Sequence, residues 1–266
     1  MGEFNIEVTP ASDISSSRYF RGLILGAPHV GKTSAVLMTC PKPAFVINCD
    51  KKISLNPATE LCLEKKIGLR WESCFVSSWD HMEAALKVAK DKVKNGGCKT
   101  VVLDTLSGFS KFLLEAVIRA SAQQSQSGKP DGRKYWPEYH KRLEGIVDRL
   151  HILDAHVVVC SHWEDAGESD DSDQDDDKKT TPKAGPGIVP MLGGKSRLKA
   201  GQWFEDILFM EKRKNEERVL RCSIEGVWGP ASKSLPGVSE VPADLTAFIK
   251  AKDDRLKKLV AASRGR

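Results

Sequence analysis

Residues 26–33 read GAPHVGKT, and the four residues before them, GLIL, are almost entirely apolar. A turn between a strand and a helix would account for two glycines and a lysine. The spacing, however, is GxxxxGK[ST], which arises by chance in roughly one chain in a hundred of this length when glycine is about 7% of residues. Here it follows an apolar strand and precedes TSAVLMT, a helix-compatible run, which is the context that phosphate binding requires. Gly26 and Gly31 let the loop made with Ala27, Pro28, His29 and Val30 wrap closely around a triphosphate. Backbone N–H groups and a helix opening at Lys32, Thr33 and Ser34 then face the anionic oxygens. Lys32 is expected to reach the β and γ phosphates of ATP, and the Thr33 hydroxyl to ligate Mg2+.

Working outward, four short continuous apolar runs read as strands covered on both faces: RGLILGA at 21–27, PAFVINCD at 43–50, KTVVLDT at 99–105 and AHVVVCSH at 155–162. Helical patterns lie between them. Residues 80–95 place Met82, Ala85, Leu86, Ala89 and Val93 on one face, with Gly96 and Gly97 as the stop. Residues 139–153 repeat the pattern with Leu143, Ile146, Val147 and Leu150. Alternating strands and helices predict an α/β fold, a mostly parallel sheet flanked by helices. Three later stretches, FEDILFMEKR, ERVLRCSIEG and GVWGPASKSLPG, read as antiparallel strands and a turn, and the segment from Val241 as a terminal helix.

The chain has 266 residues, enough for one substantial domain. No run approaches a membrane span and the first residues lack the charge and apolar pattern of an export signal, so a cytosolic protein without membrane contact is expected. Seven cysteines form no CxxC pair, which argues against a zinc knuckle or a disulfide framework. The net charge of +5 includes ESDDSDQDDD at 168–177, seven carboxylates without a cation. The remainder is strongly basic, which fits either a polyanionic partner or a lysine-rich solvated surface.

Further candidates stand at strand ends. Asp104 closes TVVLDT, the place of an acid that holds Mg2+. Asp50 closes PAFVINCD and is either the base that activates water or a solvated aspartate. His162, after Ser161, is either a group that touches the γ phosphate or a loop histidine. Two polar stretches, 121–135 and 164–192, read as mobile loops.

The order GAPHVGKT, VINCD, TVVLDTLSG, VVVCSH and LGGKSRLKAGQWFEDILFMEK resembles a RecA-like P-loop ATPase core, from about residue 19 to 250, between an N-terminal segment (1–18) and a basic tail (251–266). More narrowly it is similar to phage-encoded single-strand annealing proteins of the Sak type. The resemblance implies that Asp50 activates water, where the usual residue is glutamate, and that His162 couples the γ phosphate to DNA. It makes the two polar stretches single-stranded DNA loops. In the first, Lys129, Arg133, Lys134 and Tyr135 suit phosphate contact and base stacking, although Tyr135 and the adjoining Trp136 equally suit core anchors. In the second, Lys178, Lys179 and Lys183 would meet DNA while the acid run opposes it. Lys195, then Arg197 and Lys199, would reach the γ phosphate of a neighbouring subunit in a homo-oligomer, or are ordinary surface cations. The implied activity is an ATP-dependent annealing or strand-exchange ATPase in phage recombination, in the host cytoplasm, alone or with a single-strand binding protein. A phosphotransferase and a non-hydrolysing scaffold use the same loop and remain alternatives.

Overall fold

The computed structural model describes residues 19–125, 128–166, 187–224 and 227–264. The expected N-terminal segment, the acid run at 168–177, Lys178, Lys179 and Lys183 lie outside the described residues.

In chain order, β1 (Arg21–Leu25) leads through the glycine-rich loop to α1 (Lys32–Thr39), followed by β2 (Ala44–Asn48), α2 (Asn56–Glu64), β3 (Trp71–Phe75) and α3 (Trp79–Lys94). Next come β4 (Thr100–Asp104), α4 (Leu106–Gln124), α5 (Gly132–His151) and β5 (His156–Ser161), then a small hairpin of β6 (Trp163–Asp165) and β7 (Ile188–Pro190). The last third holds α6 (Ser196–Lys199), β8 (Asp206–Lys212), β9 (Arg218–Arg221), β10 (Ser223–Ile224), β11 (Val227–Ser232), β12 (Glu240–Pro242) and α7 (Leu245–Arg264).

The main sheet runs β10-β11-β8-β1-β5-β4-β2-β3, with β9 pairing both β8 and β12. From β8 to β3 every neighbour is parallel, and β9, β11 and β12 pair antiparallel. The mostly parallel α/β sheet with antiparallel C-terminal strands is therefore the architecture. The pairing of one predicted strand departs from the sequence reading. β8, expected among the antiparallel strands, pairs in parallel with β1, Leu25 opposite Phe209, and so extends the parallel set.

Each apolar run forms a strand because its alternate residues fill two separate cores. Leu23, Ile47, Leu103 and Val159 face α3, α4 and α5, where Met82, Phe109 and Leu143 pack against them. Ile24, Val46, Val102 and Val158 face the other way, onto Val36 and Leu37 of α1, Ala58 of α2 and Phe248 of α7. The predicted helical stripes are the buried ones: Met82, Ala85, Leu86 and Ala89, and Leu143, Ile146, Val147 and Leu150. Ser78 caps α3 by accepting from His81 N at 3.2 Å, and Lys92 and Lys94 sit favourably at its C-terminal end.

Loop boundaries differ from expectation in three places. Residues 121–124 belong to α4 and 132–135 to α5, so the first polar stretch narrows to the short connection between two packed helices. The second is closed at its base, since Trp163, Glu164 and Asp165 pair with Pro190, Val189 and Ile188. The basic tail is no separate segment: α7 continues through residue 251 without a break.

Candidate functional site

The loop after β1 ends at Gly31, whose φ of 95° is a left-handed conformation that favours glycine. Gly31 is the N-cap of α1 and provides no side-chain hydrogen bond, and the first turn of α1 carries no acid. The free N–H groups of that turn therefore face outward as a ready anion site. Lys32 is only 5% exposed, and its Nζ donates to the carbonyl oxygens of Gly26 at 2.7 Å and Ala27 at 2.9 Å. Burial lowers its pKa, against the opposing influence of Cys160, Asp104 and Asp50.

Around this ammonium the strand ends converge. Asp104, at the end of β4, is 1% exposed, and Thr33 Oγ1 lies 3.0 Å from both of its carboxylate oxygens. Burial raises the Asp104 pKa to about 6; the Thr33 hydrogen bond opposes the shift, nearby Asp50 adds to it, and Lys32 opposes it. Asp50 is exposed, on a turn built by Asn48. The Asn48 amide accepts from Asp50 N at 3.0 Å and from Ser54 Oγ at 3.2 Å, and donates to Lys51 O at 2.9 Å. Burial lowers the His162 pKa, as does Lys32, whose Nζ lies 3.4 Å from Nδ1, while Asp50 and a hydrogen bond to the Gly26 backbone oppose the shift. Backbone N of His162 donates to Ser107 Oγ at 3.2 Å, and Ser107 Oγ donates to Thr105 Oγ1 at 3.1 Å. The structure thus brings Lys32, Thr33, Asp50, Asp104 and His162 together. All stand at or just beyond the carboxyl ends of β1, β5, β4 and β2, neighbours in the sheet, where open α/β sheets bind ligands.

The chemistry of the donors suits a nucleoside triphosphate with a hard divalent cation. A hydroxyl and a buried carboxylate offer oxygen only, too few ligands for a complete cage, and a cation held here would complete its shell with phosphate and water oxygens. Among the described residues no group of three or more His, Cys, Asp and Glu side chains is arranged to hold a metal by itself.

Other expected residues lie elsewhere. Arg133 and Lys134 are exposed on the first turn of α5 and Lys129 is exposed just before it. Tyr135 is half-buried, its ring 5.2 Å from that of Trp136, and both pack against the core, which is the anchoring alternative. Lys195 and Lys199 are exposed near His140, apart from the phosphate loop, and together with burial they lower its pKa. Arg197 is engaged within the chain, 3.4 Å from Glu164 of β6. Three contributors went unread in the sequence. Asn48 and Ser107 sit inside the quoted motifs VINCD and DTLSG, where a polar residue beside a strand end was the available signal. Arg218 of β9, which donates from Nε to Val30 O at 2.8 Å, is 188 residues away and has no local signature.

With this geometry in view, the sequence family described as an AAA domain matches residues 18–228. The chain belongs to the AAA-domain family. It is a nucleotide-binding P-loop domain of the ATPase-like kind. Among solved structures it is similar to an ATPase from the type III secretion system of pathogenic bacteria, with a TM-score of 0.46, 8% identity, and coverage of 72% of this chain and 51% of that one. It thus spans about half the length of that ATPase. It is also similar to a KaiC-like protein from the archaeon Pyrococcus horikoshii, with a TM-score of 0.38, 12% identity and 83% coverage of each chain. No curated protein matches the AAA-domain chain. Among its described residues no helix is long and apolar enough to cross a membrane.

Proposed function

We propose that the chain is a Mg2+-dependent ATPase whose nucleotide state sets its grip on single-stranded DNA, acting as a homo-oligomer in strand annealing or exchange of the Sak type. The observation that carries the ATPase part is the meeting of Lys32, Thr33, Asp50, Asp104 and His162 at four adjacent strand ends. Lys32 leaves the carbonyls of Gly26 and Ala27 to meet the β and γ phosphates. The Thr33 hydroxyl and the Asp104 carboxylate, the latter ionised above about pH 6, would hold Mg2+. When bound, the ion offsets phosphate charge. Asp50, exposed and held on the Asn48 turn, orients and deprotonates the attacking water. His162, whose pKa burial lowers, would offer a ring nitrogen to the γ phosphate.

Coupling to DNA is supported by connectivity. His162 directly precedes β6, its carbonyl accepts from Met191 N at 2.9 Å just past β7, and its N–H is fixed by Ser107. His162 therefore adjoins both β6 and β7, and a contact from it to the γ phosphate would be felt at both strands. The exposed cations Lys129, Arg133 and Lys134 supply phosphate contacts, and exposed Lys195 and Lys199 supply positive charge to a neighbouring subunit.

The test is phosphate release by the full chain with and without a long single strand, alongside annealing of complementary strands. Mg2+-dependent turnover raised by DNA, and annealing that requires ATP, are expected. Turnover indifferent to DNA removes the coupling, a phosphorylated acceptor indicates a phosphotransferase, and nucleotide binding without turnover indicates a scaffold.

A further inference from the structure

Arg218 lies on β9, and its guanidinium rests against the phosphate loop. Nε donates to Val30 O at 2.8 Å, and a Cβ added at Gly31 would stand 2.6 Å from Nε, 3.2 Å from Cζ and 3.3 Å from Nη2. The guanidinium thus fills the space a side chain at Gly31 would need, at the very start of α1. That single hydrogen bond uses one of its five N–H donors. Among the described residues no carboxylate pairs with Arg218. The other arginines of this hairpin behave differently: Arg213 pairs with Glu217 and Glu240, and Arg221 with Glu211 and Glu240.

Two cations, Lys32 and Arg218, therefore converge on the positive end of a helix whose first turn has no acid. Positive charge at that end is unfavourable by itself and becomes favourable once an anion is present. The position of Arg218 also says which part of the anion it meets. β1 lies between β5 and β8. Asp104 and His162 approach the loop from the β5 side, and β9, paired to β8, approaches from the other. If the β5 side holds the γ phosphate, the far side holds the end of the polyphosphate next to the nucleoside.

The geometry points to Arg218 as a nucleotide-binding residue that contacts the nucleoside-proximal phosphate, fixing ADP and ATP alike and taking no part in cleavage of the terminal phosphate. This rests on the phosphate-loop reading given above. Arginine suits the task because its spare N–H groups form a planar fork that fits two phosphate oxygens while Nε remains on Val30.

Calorimetry of the full chain with ADP and with ATP, each with Mg2+, tests it in two variants. Arg218→Gln keeps a donor for Val30 O and loses the charge; it should weaken ADP and ATP equally, by about tenfold, with kcat at saturating ATP changed less than about twofold. Arg218→Lys keeps the charge but loses the planar fork, and should weaken ADP and ATP equally, by about threefold. Wild-type ADP affinity in Arg218→Gln, or a fall in kcat with affinity intact, overturns the proposal. So does a loss in Arg218→Lys as large as in Arg218→Gln, which marks a mere tether of the loop. Melting temperature without nucleotide reports folding, and should Arg218→Gln fail to fold, Arg218→Lys decides alone: a parallel loss for ADP and ATP supports the proposal, and wild-type affinity for both overturns it. Absence of binding by the wild type to either nucleotide instead removes the phosphate-loop reading itself.

Discussion

Asp104 is buried to 1% exposure beside Thr33, and its pKa of about 6 stands above the ordinary 3.8 of a free aspartate. Between those values the folded chain keeps the proton that the unfolded chain has released, so stability falls as pH rises through this window. Above about pH 6 the folded protein carries an ionised carboxylate at a cost on the order of 3 kcal/mol, which a bound divalent cation relieves. Asp104→Asn is therefore expected to raise the stability of the nucleotide-free protein at pH 7.5 by about 1–3 kcal/mol in urea unfolding, to lose that advantage near pH 4, and to abolish turnover. Equal stability of the two proteins at pH 7.5 contradicts the assignment. Lys32→Ala removes the ammonium proposed to meet the β and γ phosphates and should weaken ATP binding by roughly a hundredfold, measured by calorimetry. The phosphate-loop residues were legible in the sequence because eight consecutive positions hold the whole motif. Arg218 was not, because only the pairing of β9 with β8 brings it to Val30.

The first turns of α4 join the site to the rest of the chain. Thr105 caps the helix by accepting from Gly108 N at 3.0 Å, Ser107 accepts from His162 N, and a Cβ at Gly108 would lie 2.3 Å from the carbonyl oxygen of Cys49. Gly108→Ala should thus push α4 away from the turn that carries Asp50, costing about 1–3 kcal/mol in stability and lowering turnover more than ATP affinity. One turn further on, Tyr139 Oη and Ser110 Oγ lie 2.5 Å apart, and Gly193 N donates to Tyr139 Oη at 3.0 Å. Tyr139→Phe leaves the partly buried Gly193 N–H without its best acceptor and should cost about 1–2 kcal/mol, with faster amide exchange at residues 193–199. A Tyr139→Phe protein with wild-type stability and exchange would show that this contact does not hold the segment. Strands β1, β2, β4 and β5 were readable because burial on both faces leaves an unbroken apolar run. β3, with the sequence WESCF, was missed because it is an edge strand with Glu72, Ser73 and Phe75 exposed. The end of α4 was misread as loop because SAQQ is polar, yet the helix continues past the core on its own hydrogen bonds.

For the molecule as a whole, charge separates the nucleotide site from the DNA reading. Deleting ESDDSDQDDD removes seven carboxylates and takes the net charge from +5 to +12. Single-strand affinity should rise and its dependence on salt steepen; equal or weaker binding in a salt titration argues against a DNA role for the adjoining segment. The parallel sheet and its helices were legible as alternating patterns along the chain. Placement of β8 beside β1, and with it the route of β9 to the phosphate loop, was not, because pairing partners so distant in sequence leave no local mark. The claim beneath the rest is that GAPHVGKT clasps a triphosphate. Calorimetric titration of the full chain with ATP, with and without Mg2+ and against Lys32→Ala, measures it most directly. Saturable binding that strengthens with Mg2+ and collapses in the variant is the predicted result; no heat of binding from the folded wild-type protein at millimolar ATP and Mg2+ would contradict the account.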